Sequence, residues 1–152
     1  QKGPSDYLGS MGQEARTQGS VTSVAVGRAH TMILTSLGEI FSFGDASMGV
    51  LGHGMDEHLN LPKMIDSLSV PGLVVTDIFC GERHSACIVL GGQALTWGCG
   101  LEGQLGHSSY DNVTYPRKVE HLRAFRVVTL ACGDTHSAFV TEGGDMYTCG
   151  AG

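Results

Sequence analysis

Apolar and polar residues alternate along this chain in short bursts, each closed by glycine, and the bursts return three times in the same order. Val21, Val24 and Val26 run into Gly27; Val74, Val75, Ile78 and Cys80 run into Gly81; Val127, Val128, Leu130 and Cys132 run into Gly133. β-Branched residues at this spacing, bounded by glycine, predict a short strand. A second, mostly apolar strand is expected over 31–35, 85–90 and 137–141. The pairs Leu37-Gly38, Gly91-Gly92 and Gly143-Gly144 that follow are hairpin signals. A third strand alternates through Ile40-Phe41-Ser42-Phe43 and its counterparts Ala94-Leu95-Thr96-Trp97 and Met146-Tyr147-Thr148-Cys149. After a longer loop, Pro62-Lys63-Met64-Ile65 and Pro116-Arg117-Lys118-Val119 open a fourth strand. Proline has no N–H to donate, so that strand belongs at an outer edge.

The bursts are copies of one unit. Gly27-Arg28-Ala29-His30-Thr31, Gly81-Glu82-Arg83-His84-Ser85 and Gly133-Asp134-Thr135-His136-Ser137 begin 54 and 52 residues apart. The phrases Gly49-Val50-Leu51-Gly52-His53 and Gly103-Gln104-Leu105-Gly106-His107 keep that interval, as do Pro62 and Pro116. Several features in one register mark a repeat array. Four short antiparallel strands per unit describe a propeller blade, whereas a helical solenoid would show a 3.6-residue period. The fold class is therefore all-β, a partial β-propeller of four-stranded antiparallel blades. Its units are 21–73, 74–126 and an incomplete 127–152, behind a flexible tail or decayed repeat end over 1–20.

The pattern G-x-x-H-[ST], then G-x-apolar-aromatic-x-aromatic-G, then G-x-L-G, then Pro resembles the repeat of the regulator of chromosome condensation family. The likeness covers about residues 21–152, with Cys149 replacing an aromatic and Val50 replacing the Gln found at 104. Members of that family form seven-bladed propellers, so the resemblance implies that this chain is a fragment. An isolated fragment would leave blade faces open, with Val74, Ile78, Ile88 and Phe139 near solvent. It would then aggregate, self-associate or melt with weak cooperativity. The resemblance also implies a protein partner. The expected role is a non-enzymatic interaction scaffold, the regulatory part of a larger intracellular protein in the cytoplasm or nucleus. Its alternative is guanine-nucleotide exchange on a Ran-like small GTPase. The plant ultraviolet-photoreceptor branch looks similar, but it needs tryptophans clustered in the G-x-x-H phrase, and the only tryptophan here is Trp97.

Composition narrows the chemistry further. A formal net charge of −6 disfavours binding to a phosphate backbone, so no nucleic-acid partner is expected. No apolar run is long enough to span a bilayer, and no membrane partner is expected. Five cysteines, an odd number, do not read as a disulfide framework. Cys80 and Cys132 stand where the first copy has Val26, which marks them as small buried hydrophobes. The sequon Asn112-Val113-Thr114 would matter only in a secreted protein. No nucleophile elbow or phosphate loop is present. No catalytic residue, cofactor or metal site is therefore expected.

Two groups of residues remain. His30, His84 and His136 invite a metal reading, yet a blade roughly 20 Å wide separates each from the next. The better expectation is structural: each ring satisfies a backbone group in its own turn, next to Gly27, Gly81 or Gly133. Trp97 is likewise a structural residue of its strand. The loop 52–58 gathers His53, Asp56, Glu57 and His58, which are ligand types that zinc accepts. The second copy keeps only the histidine, with Tyr110, Asp111 and Asn112 at the other three positions. An exposed loop is the better reading. Asp56, Glu57, His58, Tyr110, Asp111 and Asn112 are accordingly the expected partner contacts.

Overall fold

The alternation along the chain becomes three antiparallel sheets in the computed structural model, which describes residues 19–152. The first sheet contains β1 (Val21–Val26), β2 (His30–Thr35), β3 (Ile40–Gly44) and β4 (Leu59–Met64). The second contains β5 (Val75–Cys80), β6 (His84–Val89), β7 (Gln93–Gly98) and β8 (Val113–Lys118). The third contains β9 (Val127–Cys132), β10 (His136–Thr141) and β11 (Met146–Gly150). Strand order within each sheet is chain order, so each is a simple meander.

β1, β5 and β9 lie side by side on the inner edge, and β4 and β8 are outer edges. Along the inner edge, Arg28 N–H donates to the Glu82 carbonyl at 3.1 Å, and Glu82 N–H to the Gly133 carbonyl at 3.3 Å. These bonds stitch the innermost turns of successive sheets together.

The sheets pack face to face through two apolar layers. The first joins Met32, Leu34 and Ile40 to Ile78, Cys87, Leu95 and Trp97. The second joins Ala86, Ile88 and Ala94 to Val127, Leu130 and Phe139. The second sheet is thus buried on both faces. This is why every residue of β6 is buried and its sequence reads as an apolar run rather than an alternation.

Three expectations need correction. Pro62 and Pro116 do not open the fourth strands, because β4 begins at Leu59 and β8 at Val113. Both prolines sit where the ladder to the neighbouring strand slips register, between Ser42 and Gly44 and between Thr96 and Gly98. A bulge tolerates a missing N–H. Ile78, Ile88 and Phe139 are not near solvent; they are buried between sheets, and of the four named residues only Val74 is exposed. The outward face of the third sheet carries other apolar groups, with Val128 and Met146 exposed. Finally, residues 1–18 of the expected tail lie outside the described residues, but 19 and 20 are held. Gly19 N–H donates to Glu39 Oε2, and Ser20 exchanges hydrogen bonds with Ser36.

Candidate interaction face and the junctions beneath it

His30 pairs with Gly44 across β2 and β3, and His84 with Gly98 across β6 and β7. The G-x-x-H turns and the long loops 45–58 and 99–112 therefore leave the sheets from one common end. All six expected contact residues lie on these loops, and all six are exposed. Two have an internal task as well. His58 Nδ1 accepts the Ala46 N–H at 3.0 Å, and Asn112 Oδ1 accepts the Gly100 N–H at 3.1 Å. Positions 46 and 100, like 58 and 112, are equivalent in the repeat, so two different side chains close the same loop in the same way. Tyr110 is 72% exposed and, with Asp56, Glu57 and Asp111, presents the copy-specific surface.

Beneath this face the histidines do something the sequence reading missed. His30 Nε2 lies 2.9 Å from Ser85 Oγ and His84 Nε2 lies 2.8 Å from Ser137 Oγ. Each ring thus reaches the next sheet rather than its own turn. Ser85 donates to the Val50 carbonyl at 2.8 Å and Ser137 to the Gln104 carbonyl at 2.8 Å. With the serine proton committed, each histidine must donate, which fixes the Nε2–H tautomer. The buried His84 Nδ1 is then a lone pair without a partner.

Burial holds His30 and His84 neutral, with pKa lowered from 6.5 to about 4 in each case. The glycine three residues earlier is needed for space. A Cβ on Gly27 would lie 2.1 Å from the His30 ring and one on Gly81 2.3 Å from the His84 ring. The repeat spacing was the available signal, since each His is followed by the Thr or Ser that the preceding sheet's His would meet.

The same device recurs outside the junctions. Ser42 donates to the Leu51 carbonyl and accepts from His53 Nε2 at 2.9 Å, while Thr96 donates to Leu105 and accepts from His107 at 2.9 Å. His53 is thus spent on its own loop, and burial lowers the pKa of both His53 and His107. Among the described residues no group of three or more His, Cys, Asp or Glu is placed to hold a metal ion. The five cysteines are free thiols. Burial pushes Cys80 and Cys132 up to about 12 and raises Cys87 and Cys149, so these four are thiols and not thiolates.

Trp97 reaches across the first junction as well, donating Nε1–H to the Val50 carbonyl at 2.9 Å. Above it the junction opens as a cleft beside the loops. Arg28 and Glu82, equivalent positions of opposite charge in adjacent copies, pair across this cleft at 2.5 Å. Arg83 Nε also lies 3.5 Å from the same carboxylate oxygen.

Comparison with known proteins gives this architecture a family. A model described as the regulator of chromosome condensation (RCC1) repeat matches residues 38–88 and 91–140, and a second of the same description matches 21–50. The chain belongs to the RCC1 repeat family. The RCC1 matches at 38–88 and 91–140 each start just before β3 or β7 and run into the next sheet, so each matched repeat straddles a junction while the histidine that bonds across it comes from the preceding match or before it.

Prp20p of Saccharomyces cerevisiae, a solved structure whose binding to Gsp1p and histones has been characterised, aligns with TM-score 0.74 at 28% identity, covering 91% of this chain and 33% of that one. Human WBSCR16 aligns with TM-score 0.73 at 25% identity, covering 89% and 37%. The human E3 ubiquitin-protein ligase HERC2 is 39% identical over 136 residues, 87% of this chain but 3% of that protein. The chain therefore spans a small part of its curated relatives, and the ligase name belongs to a protein of which it matches one repeat segment. The Arabidopsis ultraviolet-B receptor UVR8 is 34% identical over 133 residues. The single tryptophan of this RCC1-repeat chain is nevertheless fully buried and bound to a backbone carbonyl. No helix among the described residues is long and apolar enough to cross a membrane.

Proposed function

We propose that this RCC1-repeat segment is a protein-interaction module, the regulatory part of a larger intracellular protein, and that its contacts are made from the loop end of the sheets. One observation carries the reading. The repeated residues Gly27, His30, Gly81, His84 and Trp97 are consumed in holding sheets together, while Asp56, Glu57, Tyr110 and Asp111, which differ between copies, face solvent on one common end. A rigid frame carrying variable loops is the arrangement that recognition surfaces use. Substituting the four together (Asp56→Lys, Glu57→Lys, Tyr110→Ala, Asp111→Lys) should abolish co-purification of the partner without lowering the unfolding temperature. An unchanged partner set that is lost on Leu37→Glu and Leu90→Glu, at the opposite end, would move the interface there.

The likeness to Prp20p favours one second reading, action on a small GTPase as an exchange factor. A stimulation of nucleotide release from a Ran-like GTPase by more than about tenfold, about 1.4 kcal/mol of barrier, would establish it. The scaffold reading expects no such stimulation.

A further inference from the structure

The two junctions differ in what fills them, and at position 50 the difference opens a cavity. Gln104 is 1% exposed, and its Oε1 accepts the Glu102 N–H at 2.9 Å, so its side chain fills the upper part of the second junction. Val50 holds the same position in the first junction. It has no acceptor and is two atoms shorter, and Met48, the counterpart of Glu102, adopts a left-handed backbone with φ +63°. The result is a cleft of about 350 Å³, floored by Ala29, Met48 and Val50 and rimmed by Arg28, Asp45 and Arg83. That is the small end of the range for ligand pockets, roughly 300–1,000 Å³. It suits one side chain with its flanking backbone better than a whole cofactor.

The rim selects by charge. Glu82 neutralises Arg28, and Asp45 Oδ1 is occupied by the Ser47 N–H at 2.7 Å. Arg83 touches Glu82 only through Nε, its side chain is half exposed, and the two terminal nitrogens of its fork are left to a further acceptor. Position 83 is Ala29 in the first copy and Thr135 in the third, so this cation is peculiar to this cleft.

We propose that the cleft is the anchor pocket for a partner protein. It takes one leucine- or methionine-sized side chain onto Val50 and Met48, in the space that Gln104 fills at the next junction. An adjacent carboxylate of the same segment pairs with Arg83 in the two-bonded geometry that guanidinium offers. A basic segment is repelled by Arg83, since Glu82 already neutralises Arg28. This deepens the interaction-module reading and rests on it.

The test is selection of random 12-residue peptides displayed on phage against the full chain, followed by fluorescence polarisation with the enriched peptides. Peptides carrying Leu or Met within two positions of Asp or Glu should emerge. Their affinity should fall by at least about tenfold, about 1.4 kcal/mol, in Val50→Gln and in Arg83→Glu. Val50→Gln should unfold at the same or a higher temperature, because it installs the residue that the next junction buries at this position, so the loss cannot be ascribed to misfolding. Failure to enrich any peptide, enrichment without that pattern, or equal affinity for Val50→Gln would overturn the pocket. Peptides indifferent to Val50→Gln but lost with Tyr110→Ala and Asp111→Lys would sink the pocket and leave the loop-end interface standing.

Discussion

The junction between the first and second sheets and the junction between the second and third share one set of bonds but not one filling. In both, a histidine from the preceding sheet donates to a serine that donates to a loop carbonyl. In the first, Trp97 adds a second donor to that carbonyl and Val50 leaves space above it. In the second, Cys149 stands in the tryptophan's place, with Sγ 3.3 Å from the Gln104 carbonyl, and Gln104 closes the space itself. A repeat can keep its joints identical while varying the volume around them, because the hydrogen-bonded positions and the volume-filling positions are different residues.

The largest expected effect acts on both joints at once. His30 and His84 are neutral in the folded protein, with pKa about 4 against 6.5 in the unfolded chain. Between those values the unfolded state binds more protons, so stability is full above about pH 6.5 and is lost as pH falls toward 4. Each pH step in that window costs up to about 1.4 kcal/mol per histidine. Urea unfolding followed at several pH values by Trp97 fluorescence and by amide exchange in β9 should show both junctions weakening together. A pH-independent stability from 6.5 to 4.5 would refute the buried-neutral histidines.

Next in size, Trp97→Ala should cost about 3–5 kcal/mol, the usual penalty for emptying a buried aromatic site. Cys149→Ala in the equivalent position should cost less than about 1.5 kcal/mol, since it removes one sulfur and a weak bond. Circular-dichroism melts of the two variants measure the asymmetry directly. Equal losses would mean that the first junction is not the one built on its aromatic.

His84→Ala should destabilise by about 1–3 kcal/mol, because Ser137 loses its donor in a buried setting. His136→Ala should cost little by comparison, as that ring is exposed. The same melts decide it, and a large loss at 136 would break the link between cost and junction.

The smallest effect isolates the filling. Met48→Gly should stabilise by up to about 1 kcal/mol by relieving the left-handed backbone of a non-glycine residue. The same substitution at Glu102, whose backbone is not left-handed, should destabilise. Matching signs at 48 and 102 would show that the two loops do not differ in the way Val50 and Gln104 imply.

Much of this was legible in the sequence. The strand bursts, the hairpin glycines and the repeat interval specify local geometry, and three copies reinforce one another, so the sheets follow from period and turn chemistry alone. The thiols were legible only in part, because Cys80 and Cys132 occupy the position of Val26, yet both are half-buried and Val26 itself is exposed. The loop residues were legible only as differences between copies, and His58 and Asn112 show the limit of that signal. They differ in kind yet perform one task, because an imidazole nitrogen and an amide oxygen accept the same N–H.

The sequence by itself determined the unit, its strands and its membership in a repeat array, because these depend on residues near one another in the chain. What only the tertiary structure decided is the partner of each buried polar group. His30 meets Ser85 across 55 positions and Trp97 meets Val50 across 47. No local pattern states those distances. They exist because the sheets stack with a histidine of one beside a serine of the next, where a buried donor has nowhere else to find an acceptor.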